Sequence, residues 1–283
     1  MPARTTTTAR QERLGAELRK LRERAGLTAR DAARGLAIDH TKISHMEAGR
    51  VGVSAERLRS LASFYACPDT AFVDALAVMA EERHRGWWEE YRDALAAAFF
   101  DLAELEHHAS SIRTSEIFHI PGLLQTECHA RALISYAEPA INGADLEARV
   151  AFRMRRRAVL EGEEAVTYEA VVHEAALRMR VADRDVSRAQ LNFLLQASER
   201  PNVTLRAIPF DVDGFGGAGF SMVIVGGPVP QLDTVLLDAA FGGVFLDAEA
   251  QVAKYRSLFQ TVRESSLGTA ESRDLIRRIA QDM

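Results

Sequence analysis

Two cysteines, Cys67 and Cys128, are all that 283 residues contain, and neither stands in CxxC spacing or beside a run of ligand-type residues. That excludes a disulfide framework and lends a metal site no support; both thiols read as small buried hydrophobes. Long apolar runs are also missing. No stretch approaches the roughly 18 residues that a membrane span needs, and the opening MPARTTTTARQER has no apolar segment of the secretory kind. The expectation is a cytoplasmic protein without membrane association. Catalytic signatures are equally scarce. His173-Glu174 lacks HExxH spacing, His107-His108 diverge if helical, Asp211 and Asp213 flank a loop, and no evident nucleophile accompanies them. No catalytic residue, cofactor or metal is therefore expected.

What is present is 47% hydrophobic and 27% charged residue content, the profile of a folded globular protein long enough for a small domain beside a larger one. The net charge of −5 argues against a polyanionic partner, yet it is unevenly spread. Residues 1–50 hold 11 Lys and Arg against 6 Asp and Glu, so a head of +5 precedes a body of −10. Such a head can bind a polyanion while the body discourages loose contact.

The head carries the most legible pattern. Leu14, Leu18 and Leu21 form one apolar stripe, predicting a helix from Gln11 to Arg24 that ends at Ala25-Gly26. Thr28 can cap the next helix with Asp31 at its third position; Ala32, Ala33 and Leu36 supply its buried face. Ala37-Ile38 makes a turn, Asp39 caps a third helix from His40 to Ala48, and Gly49 closes it. With Ile43 and Met46 inward, the outer face can enter a major groove of double-stranded DNA. His40, Thr41 and His45 are candidates for base contact, Lys42 and Ser44 for phosphate contact, and Thr28, Arg30 and Arg50 for clamps beside them. Glu47 would repel phosphate if it faced DNA, so it is expected to turn inward and pair with Arg22. Helices over 54–66 and 69–83, separated by Pro68, complete a five-helix unit at residues 10–80. This order resembles the Cro/C1-type (XRE) helix-turn-helix domain. Ala29 stands where that family usually has Gln, which removes a phosphate contact, and Ala37 stands for its usual turn glycine.

Residues 84–283 read as a larger α+β domain with a small sheet. Adjacent Trp87 and Trp88 cannot share a helix face and are expected to wedge between elements or domains, with ligand stacking as the alternative. Helices are predicted near 99–113, up to Tyr136 and over 145–160. The last holds Arg149, Arg153, Arg155, Arg156 and Arg157, which suit intramolecular pairing better than a second DNA patch. Strands follow at Val166–Val172, Val203–Ile208, 220–225 and 234–237, with helices at 186–198, 248–262 and 269–281. The loop Asp213–Gly219 lacks the Gly-Lys-Ser/Thr ending of a P-loop and reads as a hairpin or pocket lip, with Phe215 as a pocket or interface candidate.

Several segments together resemble the actinobacterial XRE-type regulators that carry a DUF5753 domain, also described as Scr1-family antitoxin-like regulators. The matching pieces are Arg13-Leu14-Gly15-Ala16-Glu17-Leu18-Arg19, Lys42-Ile43-Ser44, Gly86-Trp87-Trp88, Glu104-Leu105-Glu106, Ile120–Thr126, His173–Arg178 and Arg200–Thr204. His45 stands where the family usually has Arg, and His173 where Asp is common. The resemblance implies a transcriptional regulator, often encoded beside a small DUF397-type partner protein, whose C-terminal domain senses a signal or docks a protein. A homodimer is expected because one head makes few contacts, whereas two can read half-sites a helical turn apart. An antitoxin-like protein that neutralises a small partner, with DNA binding for autoregulation, is the competing reading; a hydrolase with a DNA-binding head is a third.

Overall fold

Thr8, Thr28, Asp39, Ser54 and Asp69 each accept a hydrogen bond from a backbone N–H of the turn that follows. They start α1 (Ala9–Arg24), α2 (Ala29–Gly35), α3 (His40–Glu47), α4 (Ala55–Phe64) and α5 (Thr70–Glu81). Each cap satisfies donors that a helix start would otherwise leave unpaired. The computed structural model describes residues 7–82, 86–217, 221–238 and 243–283. Contacts divide the chain into two compact units, Met1–Trp87 and Trp88–Met283.

In the first unit α1 to α4 end alike. The N–H of Leu27, Ile38, Arg50 and Cys67 returns to the carbonyl of Arg22, Ala33, His45 and Ala62, respectively, at 2.9–3.2 Å. The residue before each donor is left-handed: Gly26 at φ +71°, Ala37 at +52°, Gly49 at +67° and Ala66 at +53°. The two alanines hold this conformation against their own Cβ. Leu14, Leu18, Leu21, Ile43, Leu58 and Leu76 are buried at the centre. Where α1 meets α3 the backbones touch, because a Cβ on Gly15 would lie 2.6 Å from the Glu47 carbonyl oxygen.

The second unit is built on a six-stranded sheet, larger than the small sheet expected, ordered β3-β2-β1-β4-β5-β6. The strands are β1 (Ser111–Glu116), β2 (Thr167–His173), β3 (Val203–Ile208), β4 (Met222–Gly226), β5 (Thr234–Leu237) and β6 (Val244–Leu246). β1, β2 and β3 run parallel, and β4, β5 and β6 pair antiparallel. Helices α6 (Ala97–His107), α7 (Glu127–Ala137), α8 (Gly143–Arg156), α9 (Glu174–Arg178), α10 (Arg184–Ala197), α11 (Glu249–Glu264) and α12 (Thr269–Asp282) surround it. One core joins Ile112, Tyr168, Ala170, Leu205 and Val225 to α10 and α12; another joins Val171, Met222, Ile224 and Val235 to Val252, Phe259 and Val262 of α11. Covering both faces is what a sheet with parallel strands requires.

Three expectations need correction. The stretch 99–113 is not one helix but α6 followed by β1, whose central place between β2 and β4 overrides its polar sequence. His107 and His108 do not diverge: the helix ends there, their rings lie 4.8 Å apart, and both meet Trp88 edge-on. Cys128 is exposed and Cys67 half-buried, rather than both buried. The expected strand start at Phe220 and the loop end at Gly219 lie outside the described residues.

Replacing Ala37 or Ala66 with Gly removes the Cβ conflict at a left-handed position. Each substitution is expected to raise the unfolding free energy by about 0.5–1 kcal/mol in denaturant titrations. A loss of stability in both would contradict this account.

Candidate nucleic-acid interface

The second and third helices are joined by four residues, Leu36–Asp39, and the third presents a polar outer face. Ile43 and Met46 point into the core, while His40, Thr41, Lys42 and Ser44 are exposed and His45 is half-buried. Asp39 organises the leading turn by accepting from the Thr41 N–H at 2.6 Å. The Thr41 hydroxyl and N–H hold the Asp39 carboxyl below its ordinary value. The Ser44 hydroxyl donates to the His40 carbonyl at 3.3 Å. Thr28 is exposed, but its hydroxyl accepts from the Asp31 N–H, so its side chain serves the cap; Arg30 and Arg50 are exposed.

The polar face stands on a partly buried ion pair. Arg22 Nε donates to Glu47 Oε1 at 2.6 Å and Arg22 Nη2 to Oε2 at 2.9 Å, while Nη1 reaches the Leu27 carbonyl at 2.7 Å. The hydrogen-bonded Glu47 carboxylate holds Arg22 above its ordinary value. Burial, with Glu47 adding to it, pushes the neighbouring Tyr65 hydroxyl up to about 12. The pair thus spans α1, the start of the 27–28 turn and the end of α3.

The second unit contains a cavity of about 530 Å³ between one sheet face and helices α6, α7 and α8. Phe99, Leu133, Ile134, Phe152 and Leu236 give it apolar walls, with Thr114, Glu116, Arg153 and Asp238 among its polar lining. Arg156 and Glu106 form a buried bidentate pair, with Nε–Oε2 at 2.7 Å. Burial pulls the Arg156 guanidinium down, but the Glu106 carboxylate more than offsets this and leaves it above its ordinary value. Arg153 Nη1 donates to Gln125 Oε1 at 2.9 Å. Burial, with the Arg156 charge next, lowers Arg153 to about 10. Burial also pushes Glu116 up to about 7, against a hydrogen bond from Ser221.

Other singled-out residues have structural partners. Trp88 is buried against His107 and His108, and Trp87 begins the short 3-10 segment Trp87–Tyr91; neither lines the cavity. Phe215 stacks on His173 with ring centroids 5.6 Å apart. His173 Nδ1 caps α9 at the Ala175 N–H, and Glu174 accepts from Arg178 and from the Phe210 N–H. In the arginine-rich helix, Arg149 pairs with Glu138 and Arg155 with Glu90, and Arg157 lies over the Phe193 ring.

A helix-turn-helix domain model matches residues 13–76. A second model, described as a domain of unknown function, DUF5753, matches residues 99–278. The chain belongs to the DUF5753 family. No curated protein and no solved structure matches it. Its helix-turn-helix domain points to a DNA-binding regulatory role, and this pairing of domains is typical of non-enzymatic regulators. Among the described residues of this DUF5753 protein, no group of three or more His, Cys, Asp or Glu could hold a metal ion, and no helix is long and apolar enough to cross a membrane. The cavity lining escaped sequence reasoning. Its available signal was Thr-Ser-Glu at 114–116, three consecutive polar residues that are all buried.

Glu47→Ala leaves Arg22 with only the exposed Glu23 carboxylate, 3.7 Å away, and should lower the unfolding free energy by roughly 2–4 kcal/mol. An unchanged melting temperature would refute the pair's structural role. Glu116 has its own pH signature. Folding favours its neutral form, so its contribution is full below the ordinary 4.5 and is lost as pH rises through about 7. His129, lowered by burial from 6.5 to about 4, acts oppositely, its contribution being full above 6.5 and lost toward 4. The Glu116→Gln protein should therefore gain on the wild type between pH 5 and 8, by up to about 3 kcal/mol in urea titrations. A pH-independent difference would contradict the assignment.

Proposed function

We propose that this protein is a sequence-specific DNA-binding transcriptional regulator of the Cro/C1 (XRE) type that acts as a homodimer. In this reading residues 10–80 are its DNA-binding domain, and residues 84–283 receive the controlling input from a small molecule or a small partner protein. The observation that carries the reading is the outer face of α3 within a matched helix-turn-helix domain, where His40, Thr41, Lys42 and Ser44 are all exposed. His40 and His45 offer ring nitrogens to base edges. Thr41, its hydroxyl engaged by Asp39, offers its methyl to a thymine methyl. Lys42, flanked by Arg30 and Arg50, meets phosphates, Ser44 joins it by turning its hydroxyl away from the His40 carbonyl, and Thr28 contributes through the start of α2 rather than through its hydroxyl. Glu47, turned onto Arg22, keeps its carboxylate away from the phosphates.

The test is enrichment of genomic DNA fragments by the purified wild type and by a His40/Thr41/Lys42 triple-alanine variant with unchanged helical content. The wild type should enrich a motif with half-sites about 10 base pairs apart. The variant should lose at least about a hundredfold in affinity for it. Equal enrichment of the same fragments by both proteins would overturn the assignment of α3.

A further inference from the structure

Three arginines drawn partly or wholly out of water in the second unit take carboxylates with them. Arg156 has Glu106, Arg256 has Asp233, and Arg149 has Glu138 as well as the face of Phe99. Arg153 departs from this pattern. It lies on α8 within a turn of both Arg149 and Arg156, yet its hydrogen-bond partner is the neutral amide oxygen of Gln125. No carboxylate among the described residues forms an ion pair with it. Its guanidinium helps line the 530 Å³ cavity, where Phe99, Ile134 and Phe152 provide apolar walls. On the sheet wall, Thr114 Oγ1 and Glu116 Oε2 are buried without a hydrogen-bond partner.

A cation drawn partly out of water without an ion-pair partner is costly, and an anion that reaches it gains a charge-assisted bond away from bulk solvent. Arg149 and Arg156 are already held in ion pairs, and Asp238 and Glu106 act on Arg153 only at a distance, so Arg153 is the cation of the cavity on which a monoanion can land. The cavity volume suits a molecule of drug-like size or smaller. We propose that this cavity binds a small monocarboxylic acid, with its carboxylate on Arg153 and its apolar body between Phe99, Phe152 and Ile134. Thr114 and Glu116 add a hydrogen bond for acids that carry a hydroxyl group. As the input that controls the DNA-binding head, the site rests on the regulator reading above; as a binding site it does not.

The experiment is calorimetry and ligand-observed NMR on the full chain with 3-phenylpropionate, octanoate and cyclohexanecarboxylate. The neutral 3-phenylpropanol and the cationic 3-phenylpropylamine serve as controls. At least one carboxylate should bind, with 3-phenylpropanol and 3-phenylpropylamine each at least tenfold weaker than 3-phenylpropionate. Arg153→Met should reduce carboxylate affinity at least tenfold, and Arg153→Lys should recover part of it. Because the Met variant also leaves the buried Gln125 amide oxygen without its donor, its binding is compared at a temperature where both proteins keep full helical content. The proposal fails if no carboxylate binds, if the alcohol or amine binds as well as the acid, or if Arg153→Met binds unchanged. DNA enrichment by the same preparations separates the two readings. Loss of carboxylate binding with intact enrichment removes the site alone, whereas carboxylate binding without sequence-specific enrichment supports the site and removes the regulator.

Discussion

In each compact unit an arginine and a glutamate far apart in the chain leave water together, and the surrounding elements are positioned by that pair. Arg22 and Glu47 tie the first helix to the end of the third, and Arg156 and Glu106 tie α8 to α6. Such pairs add little net stability, because desolvation offsets most of the attraction, but removing one partner strands the other. Their effect is geometric. With Arg22 chelating both Glu47 and the Leu27 carbonyl, α3 has one allowed orientation, and its outer face follows from it.

Close contact reinforces that orientation. Gly15 lets the backbone of α1 meet the last turn of α3, so the helices approach more nearly than side chains would permit. The left-handed residues that end α1 to α4 then turn the chain sharply without spending further sequence on loops. At Ala37 the strain falls within the turn that separates α2 from α3, the helix we propose to face DNA. A local conformational cost is thus carried at the turn that sets the direction of α3.

The second unit follows a different logic. Its sheet is covered on both faces, yet its central strand β1 carries Thr114, Ser115 and Glu116 into the interior. Polar residues in the middle of a sheet reduce stability, and here Thr114 and Glu116 border a cavity that Arg153, without an ion-pair partner, also lines. Local rules of stability are broken together at one place, the pattern expected where a site has been built at the expense of packing.

The head was legible in the sequence because its information is local. Caps, apolar spacing and turn residues lie within a few positions of the helices they define, and even the inward turn of Glu47 followed from its conflict with phosphate. The strands at 166–172 and 203–208 were legible for the same reason, as apolar runs bounded by turns. β1 was not, since Ser-Ile-Arg-Thr-Ser-Glu has a single apolar residue and becomes a strand only by pairing with β2 and β4. The sequence by itself therefore determined the helix-turn-helix and the identity of its outward side chains. Tertiary structure alone decided which of the arginines on α8 would find a carboxylate, because that depends on Glu90, Glu106 and Glu138 arriving from other parts of the chain.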